Sequence, residues 1–225
     1  MKNLQNNIPD ITSDNLQSGA LGSWVPELYA QKNVIAVNPW HDHQSIFDHT
    51  VKVLSSAEHI MTFPFIEEKL KEKLLAYLAK RVDGVSRRST ILAVNLLHDV
   101  GCASAMVIDA KTGQNSCPGH EISGRDMSIG ICRRWGLSEI LIDRISTLIF
   151  CHLDIHKAIN KSLAGGNNEK ILNELQKSTG DTYLELLIQG YADVAGSDLP
   201  ILEPKQFLLR ENIYKEALTH FAAAL

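Results

Sequence analysis

Two metal-binding side chains stand side by side at His98-Asp99, at the end of the apolar run Ile91-Leu92-Ala93-Val94-Asn95-Leu96-Leu97. Imidazole nitrogen and carboxylate oxygen are donors that hold divalent ions. Successive helical residues differ by about 100°, so these two diverge unless the helix end itself lies against one shared site. His98 continues the stripe of Ile91 and Val94 and should point inward. By itself a His-Asp pair carries little weight. The chain has nine histidines, and others stand in comparable company.

His49 falls on the apolar stripe Ile46, His49, Val53 and Ile60. His120 follows Pro118-Gly119 at a helix start and precedes Glu121. His152 comes after a fifth helix, where a histidine meets the negative end of a helix dipole. Asp193 closes the apolar stretch Leu186-Leu187-Ile188-Gln189-Gly190-Tyr191-Ala192, and a carboxylate there needs a partner or a solvent-facing position. The order His49, His98-Asp99, His120, His152, Asp193 forms a mixed imidazole and carboxylate set. It suits a divalent metal such as Mn, Fe, Co, Ni, Zn or Mg. Six ligands exceed the four that a tetrahedral zinc takes, so the set has room for one or two ions. A pair about 3.5–4 Å apart would clamp a phosphate and activate water.

These residues need a scaffold, and helical periodicity recurs where strict alternation is scarce. A short helix and an ordered loop cover about 23–43. The first clear helix starts near the N-cap Ser45. A second runs from Ile66 to Val82 and stops at Asp83-Gly84. A third runs from Ser86 to Val100, with Gly101 as its C-cap. A loop with turn signals at Thr112-Gly113 and Cys117-Pro118-Gly119 follows. Helices then cover His120–Trp135, Ser138–Phe150, 169–177, 181–195 and 205–224. The expected fold is all-α: one helical bundle of about eight helices over 23–225, preceded by a flexible arm over 1–22.

The ordered set resembles the HD superfamily of metal-dependent phosphohydrolases, and within it the HD domain that follows the catalytic head of some bacterial tRNA nucleotidyltransferases. Phe47-Asp48-His49-Thr50 is similar to its first-histidine segment, Leu96-Leu97-His98-Asp99-Val100-Gly101 to its namesake motif, and Pro118-Gly119-His120-Glu121 and Ala192-Asp193 to its later segments. Val25-Pro26-Glu27-Leu28 through Asn38-Pro39-Trp40-His41 is similar to its opening stretch. The resemblance covers about 23–200. It implies that His49, His98, Asp99 and Asp193 hold a first ion, that His120 and His152 serve a second ion or the phosphate, and that Asp99 bridges. It also implies phosphodiesterase, nucleotidase or phosphatase activity on nucleotides or RNA ends. The nucleotidyltransferase head is absent before residue 23, which argues against CCA addition. Many members carry a lysine where this chain has Cys102. Lys52, Lys111 and Arg125 are the candidates to contact phosphate in its place, with Lys52 and Arg125 as catalytic cations beside Asp99.

Composition sets the remaining bounds. A net charge of −4 excludes an extended nucleic-acid surface, which would be basic. No apolar run reaches membrane-spanning length, and the polar N-terminus lacks a signal core, so a cytoplasmic location is expected. The four cysteines form no CxxC pair and read as reduced thiols. The expected partner is a small phosphorylated substrate, a nucleotide or cyclic nucleotide, with a homodimer allowed. Two other readings remain: a catalytically weak HD-fold module that binds a nucleotide or RNA end for regulation, and a purely structural partner protein.

Overall fold

Ser45, Ser86 and Ser138 each sit in extended backbone and accept a hydrogen bond from the N–H three residues on. That N-cap satisfies a donor the first helical turn cannot pair, and so starts a helix. Two of the three helices that follow carry His49 and His152, and the third ends just before His98. The computed structural model describes residues 8–225. In chain order its helices are α1 (Ser13–Ser18), α2 (Pro26–Tyr29), α3 (Ile46–Ile60), α4 (Glu68–Ala79), α5 (Arg87–Leu97), α6 (Cys102–Ala105), α7 (His120–Arg134), α8 (Glu139–Leu163), α9 (Asn168–Thr179), α10 (Tyr183–Gly196), α11 (Leu199–Leu202) and α12 (Pro204–Ala224). The class is all-α, with three two-stranded hairpins: β1 (Ile35–Asn38) with β2 (His41–Ser45), β3 (Arg81–Val82) with β4 (Val85–Ser86), and β5 (Val107–Ile108) with β6 (Asn115–Ser116). No helix among the described residues is long and apolar enough to cross a membrane.

Helix α10 is buried nearly all round, through Leu184, Leu186, Leu187, Ile188, Ala192 and Val194. A helix that is apolar on every side belongs at the centre, and α10 packs against α3, α5, α8 and α12, while α7 lies along α8. One buried carboxylate helps fix this arrangement. Glu185 of α10 is fully buried and pairs with Arg87 of α5 at 2.7 Å and with Arg144 of α8. Asp181, in the turn just before α10, pairs with the same two arginines.

Two glycines set how closely elements approach. A Cβ on Gly196 would lie 2.6 Å from the backbone nitrogen of Val53, so α10 meets α3 at backbone contact there. A Cβ on Gly101 would lie 2.4 Å from the backbone nitrogen of Gly124 and 2.5 Å from the carbonyl oxygen of His120. That contact brings the start of α7 against the turn that carries His98-Asp99.

Several boundaries differ from the sequence expectation. Residues 1–7 of the expected arm lie outside the described residues. From Ile8 on the chain packs on the core, with Ile11, Leu16 and Leu21 buried and Ser13 bonded to Glu58 at 2.7 Å. Three apolar residues in an otherwise polar stretch suffice to dock it. The second helix stops at Ala79, and the Asp83-Gly84 signal closes a β3–β4 hairpin, both residues having positive φ (45° and 83°), as a tight two-residue turn requires. Helix α5 ends at Leu97, and Gly101 has φ −80°, so its role is close approach and not a left-handed cap. Helix α8 does not stop at Phe150 but runs to Leu163, because Ile155 and Ile159 continue its buried stripe with no breaker.

Two glycine substitutions should therefore act in opposite directions. Gly196→Ala forces α10 off α3 and should destabilise the fold by about 1–3 kcal/mol. Gly130→Ala, in mid-α7 with nothing within 4 Å of the new Cβ, should stabilise it by about 0.5–1 kcal/mol. Urea denaturation of both variants checks the pair, and equal effects would contradict this packing.

Candidate metal centre

The six His and Asp residues come from five parts of the scaffold. His49 projects from α3, and His98-Asp99 lie in the turn that ends α5. His120 is the first residue of α7, His152 lies midway along α8, and Asp193 lies one turn before the end of α10. The early end of α5 resolves the divergence of two adjacent side chains, because His98 and Asp99 belong to a turn and not to a continuing helix.

The six form two triads. The ligand atoms of His49, His98 and Asp193 lie within 4.8 Å of one another, and so do those of Asp99, His120 and His152. Asp99 touches both groups. Its Oδ2 is 3.4 Å from His98 Nε2 and 3.7 Å from His49 Nε2. Its Oδ1 is 3.2 Å from His120 Nε2 and 3.9 Å from His152 Nε2. Asp193 Oδ1 is 3.1 Å from His49 Nε2 and 3.8 Å from His98 Nε2. His49, His98 and His152 are buried, whereas the side chains of Asp99, Asp193 and His120 keep 13–16% of their surface exposed. The centre therefore has a closed imidazole floor and an open side lined by the carboxylates.

Tautomers follow from the backbone. His98 Nδ1 lies 2.9 Å from Asn95 O, His120 Nδ1 2.7 Å from Cys117 O, and His152 Nδ1 2.5 Å from Ile149 O. His49 Nδ1 lies 3.4 Å from Gly196 O. A carbonyl can only accept, so each Nδ1 carries the proton and donates it, and each Nε2 is left to face the centre. Yet the Nε2 atoms pair off against each other, His49 with His98 at 3.3 Å and His120 with His152 at 3.0 Å. Lone pairs cannot share such space without a proton or a cation between them. Four converging Nε2 atoms with two carboxylates, each imidazole oriented by a backbone carbonyl, are the donor set and support that bound divalent ions use. The residues fit a metal.

The electrostatics agree. Burial works to raise Asp99 and Asp193, but the surrounding histidines outweigh it and hold both well below the usual carboxylate range. Burial lowers His120, yet its bond to Asp99 and that carboxylate's charge raise it to about 9. Burial likewise opposes charge on His49, and Asp193 and Asp99 override it to raise the value. His152, with burial dominant, falls to about 4.

The expected phosphate cations make no direct contact with the six residues. Lys52 Nζ is 3.0 Å from Asp198 and half exposed. Lys111 sits in the exposed turn between β5 and β6, and the Arg125 guanidinium stacks 5.5 Å over Phe150. No hydrogen bond, ion pair or ring contact among the described residues joins any of the three to the six. Cys102 is buried beside Asp99. Contact with the Cys117 thiol, burial and the Asp99 charge hold its own thiol well above the usual range.

The sequence reading assigned no role to His156, whose Nε2 lies 3.0 Å from Asp193 Oδ2. Gln189 Nε2 reaches the same oxygen at 3.5 Å. Unlike the four ligand histidines, His156 has no carbonyl on Nδ1, which is buried without a partner. It holds the outer oxygen of Asp193 and leaves Oδ1 facing His49 and His98. The signal was present: His152 and His156 are one turn apart, but a helix cut at Phe150 put them off a common face. His41, also near the centre, stacks edge-on against His49 at 4.7 Å and bonds Gln44 at 2.6 Å. No protein-family model and no curated protein matches this chain.

Two measurements check the centre. His120 carries a proton below about pH 9, and that proton must leave before Nε2 can ligate. Metal uptake should release protons, and apparent affinity should climb from pH 6 to 9. A pH-independent affinity would contradict the assignment. His156→Phe should weaken metal affinity by about 10- to 100-fold and shift the Co(II) visible spectrum, while His156→Gln, which keeps an N–H donor, should restore most of both.

Proposed function

We propose that this chain is an HD-type metal-dependent phosphohydrolase acting on a phosphomonoester or phosphodiester of a nucleotide or cyclic nucleotide. The observation that carries the reading is the division of the Asp99 carboxylate between two triads. His49, His98 and Asp193 with Asp99 Oδ2 would hold one ion; His120 and His152 with Asp99 Oδ1 would hold the other. Divalent ions bound there supply Lewis acidity, lowering the pKa of water and offsetting the charge that develops on phosphoryl oxygens.

The chain's own residues do the rest. The buried imidazoles His49, His98 and His152 keep water away from the floor, so attack must come from the carboxylate side. The backbone carbonyls of Asn95, Cys117, Ile149 and Gly196 fix the ligand tautomers. His156 holds Asp193 in one rotamer. The Asp99 turn and the start of α7 stay in register through the Gly101–Gly124 contact.

A second reading is favoured by one observation. Lys52 pairs with Asp198, Arg125 lies over Phe150, and Cys102 stands where the resemblance has lysine. A site that binds a nucleotide for regulation without turning it over would need ligands but no such cation.

The test is direct. Protein stripped of metal and reloaded with Mn should hydrolyse bis-p-nitrophenyl phosphate or a 2′,3′-cyclic nucleotide only when loaded. His98→Ala and Asp99→Ala should each lower kcat by about a hundredfold or more. Activity that survives both substitutions would overturn the proposal. Tight, metal-dependent nucleotide binding without turnover would favour the regulatory reading.

A further inference from the structure

Arg210, on α12, is a half-buried cation with no carboxylate. Arg87, Arg134 and Arg144 each pair with an Asp or Glu, but among the described residues Arg210 has no such partner. Its Nη1 donates to Asn160 Oδ1 at 2.8 Å, its guanidinium lies 4.9 Å over the Trp40 ring, and its Nε is buried with no acceptor. Nη2 donates to none of the described residues. Burial pulls its pKa down, yet a guanidinium stays charged in proteins. Removing charge from water without a counter-ion costs free energy, and here the fork is held ready and left uncompensated.

This cation adjoins the metal centre. The Trp40 ring is 6.0 Å from the His156 ring, and His156 is 3.0 Å from Asp193. Asn160 is one turn beyond His156 on α8. Tyr214 is one turn beyond Arg210, fully buried, its hydroxyl without a partner. Burial raises that hydroxyl's pKa, with Asp193 adding to the effect and Arg210 opposing it, so it lies in the field of both. The Trp40 ring meets the guanidinium at its carbon, and with Nε buried the terminal Nη1 and Nη2 are the groups left to donate. That planar fork matches two oxygens of a phosphoryl group.

We propose that Arg210, clamped by Trp40 and Asn160, binds a second, non-reacting phosphoryl group of the substrate at the rim of the metal centre. The proposal rests on the phosphohydrolase reading for its substrate, and it narrows the class to nucleotides carrying two phosphoryl groups. The reacting phosphoryl group belongs at the carboxylate side of the ions. Trp40 and His156 separate Arg210 from that point, so Arg210 meets a group farther along the same molecule.

The experiment compares a nucleoside 3′,5′-bisphosphate with the corresponding monophosphates on Mn-loaded full-length protein. Arg210→Gln should raise KM for the bisphosphate by about tenfold or more, with kcat and the monophosphate KM within about twofold. Asn160→Ala, at an exposed position that does not threaten folding, should raise the bisphosphate KM by a smaller factor. A second measurement needs no turnover: calorimetric titration with inorganic pyrophosphate in EDTA, where Arg210→Gln should weaken binding by about tenfold. If pyrophosphate binding depends on Arg210 while the wild type hydrolyses no nucleotide, the anion site stands and the phosphohydrolase reading falls. If Arg210→Gln binds pyrophosphate like wild type, or raises the KM of mono- and bisphosphates equally, the inference is overturned.

Discussion

Both oxygens of Asp99 are committed, one to His49 and His98, the other to His120 and His152. A carboxylate this enclosed is stable only where cationic charge faces it from two directions. Much of the surrounding structure follows from that demand. Helix α5 must stop at Leu97 so that Asp99 can turn beside His98. Gly101 must lack a side chain so that α7 can bring His120 against the second oxygen. The α3–α10 contact at Gly196 must be close, because it sets His49 opposite Asp193.

The molecule holds buried charge in two ways. At Glu185 the negative charge is met by Arg87 and Arg144, which bring their own positive charge. That network balances its charge and binds helices together, although Glu185 Oε2 and the Nε of both arginines are buried without a partner. At the centre two carboxylates face four imidazoles, whose charge depends on protonation or on ions. In one triad the Asp99 charge raises His120 while burial lowers His152, and the two Nε2 atoms lie 3.0 Å apart. The same pair offers two Nε2 donors once the shared proton leaves. A structural core would have no reason to orient four imidazoles through four backbone carbonyls and leave every Nε2 facing inward.

Much of the centre was legible in the sequence because its residues sit at element ends and on apolar stripes, where a polar side chain has to answer for itself. His49 interrupts an apolar stripe, His120 follows a Pro-Gly turn, and Asp193 ends an apolar helix. What stayed hidden depended on tertiary contact. His156 needed α8 to be read as one helix, and the only clue against stopping at Phe150 was the continuing stripe of Ile155 and Ile159. The β3–β4 hairpin replaced the last turn of the second helix because Asp83-Gly84 serves a two-residue turn as well as a helix stop. Arg210 gave no local signal, since Trp40 and Asn160 are remote in the chain. Lys52, one turn from His49, pairs with Asp198, just past the end of α10 and remote in the chain.

The fold and the centre together describe a helical scaffold whose interior is shaped around two adjacent His/Asp triads that could hold metal ions, with Asp99 in contact with both. Elemental analysis after saturation with Mn and removal of free metal tests that description most directly. Two ions per wild-type chain are predicted, falling to one when His120 and His152 are both replaced by alanine. A wild-type chain that retains none, or only one that persists unchanged in the double variant, would contradict it.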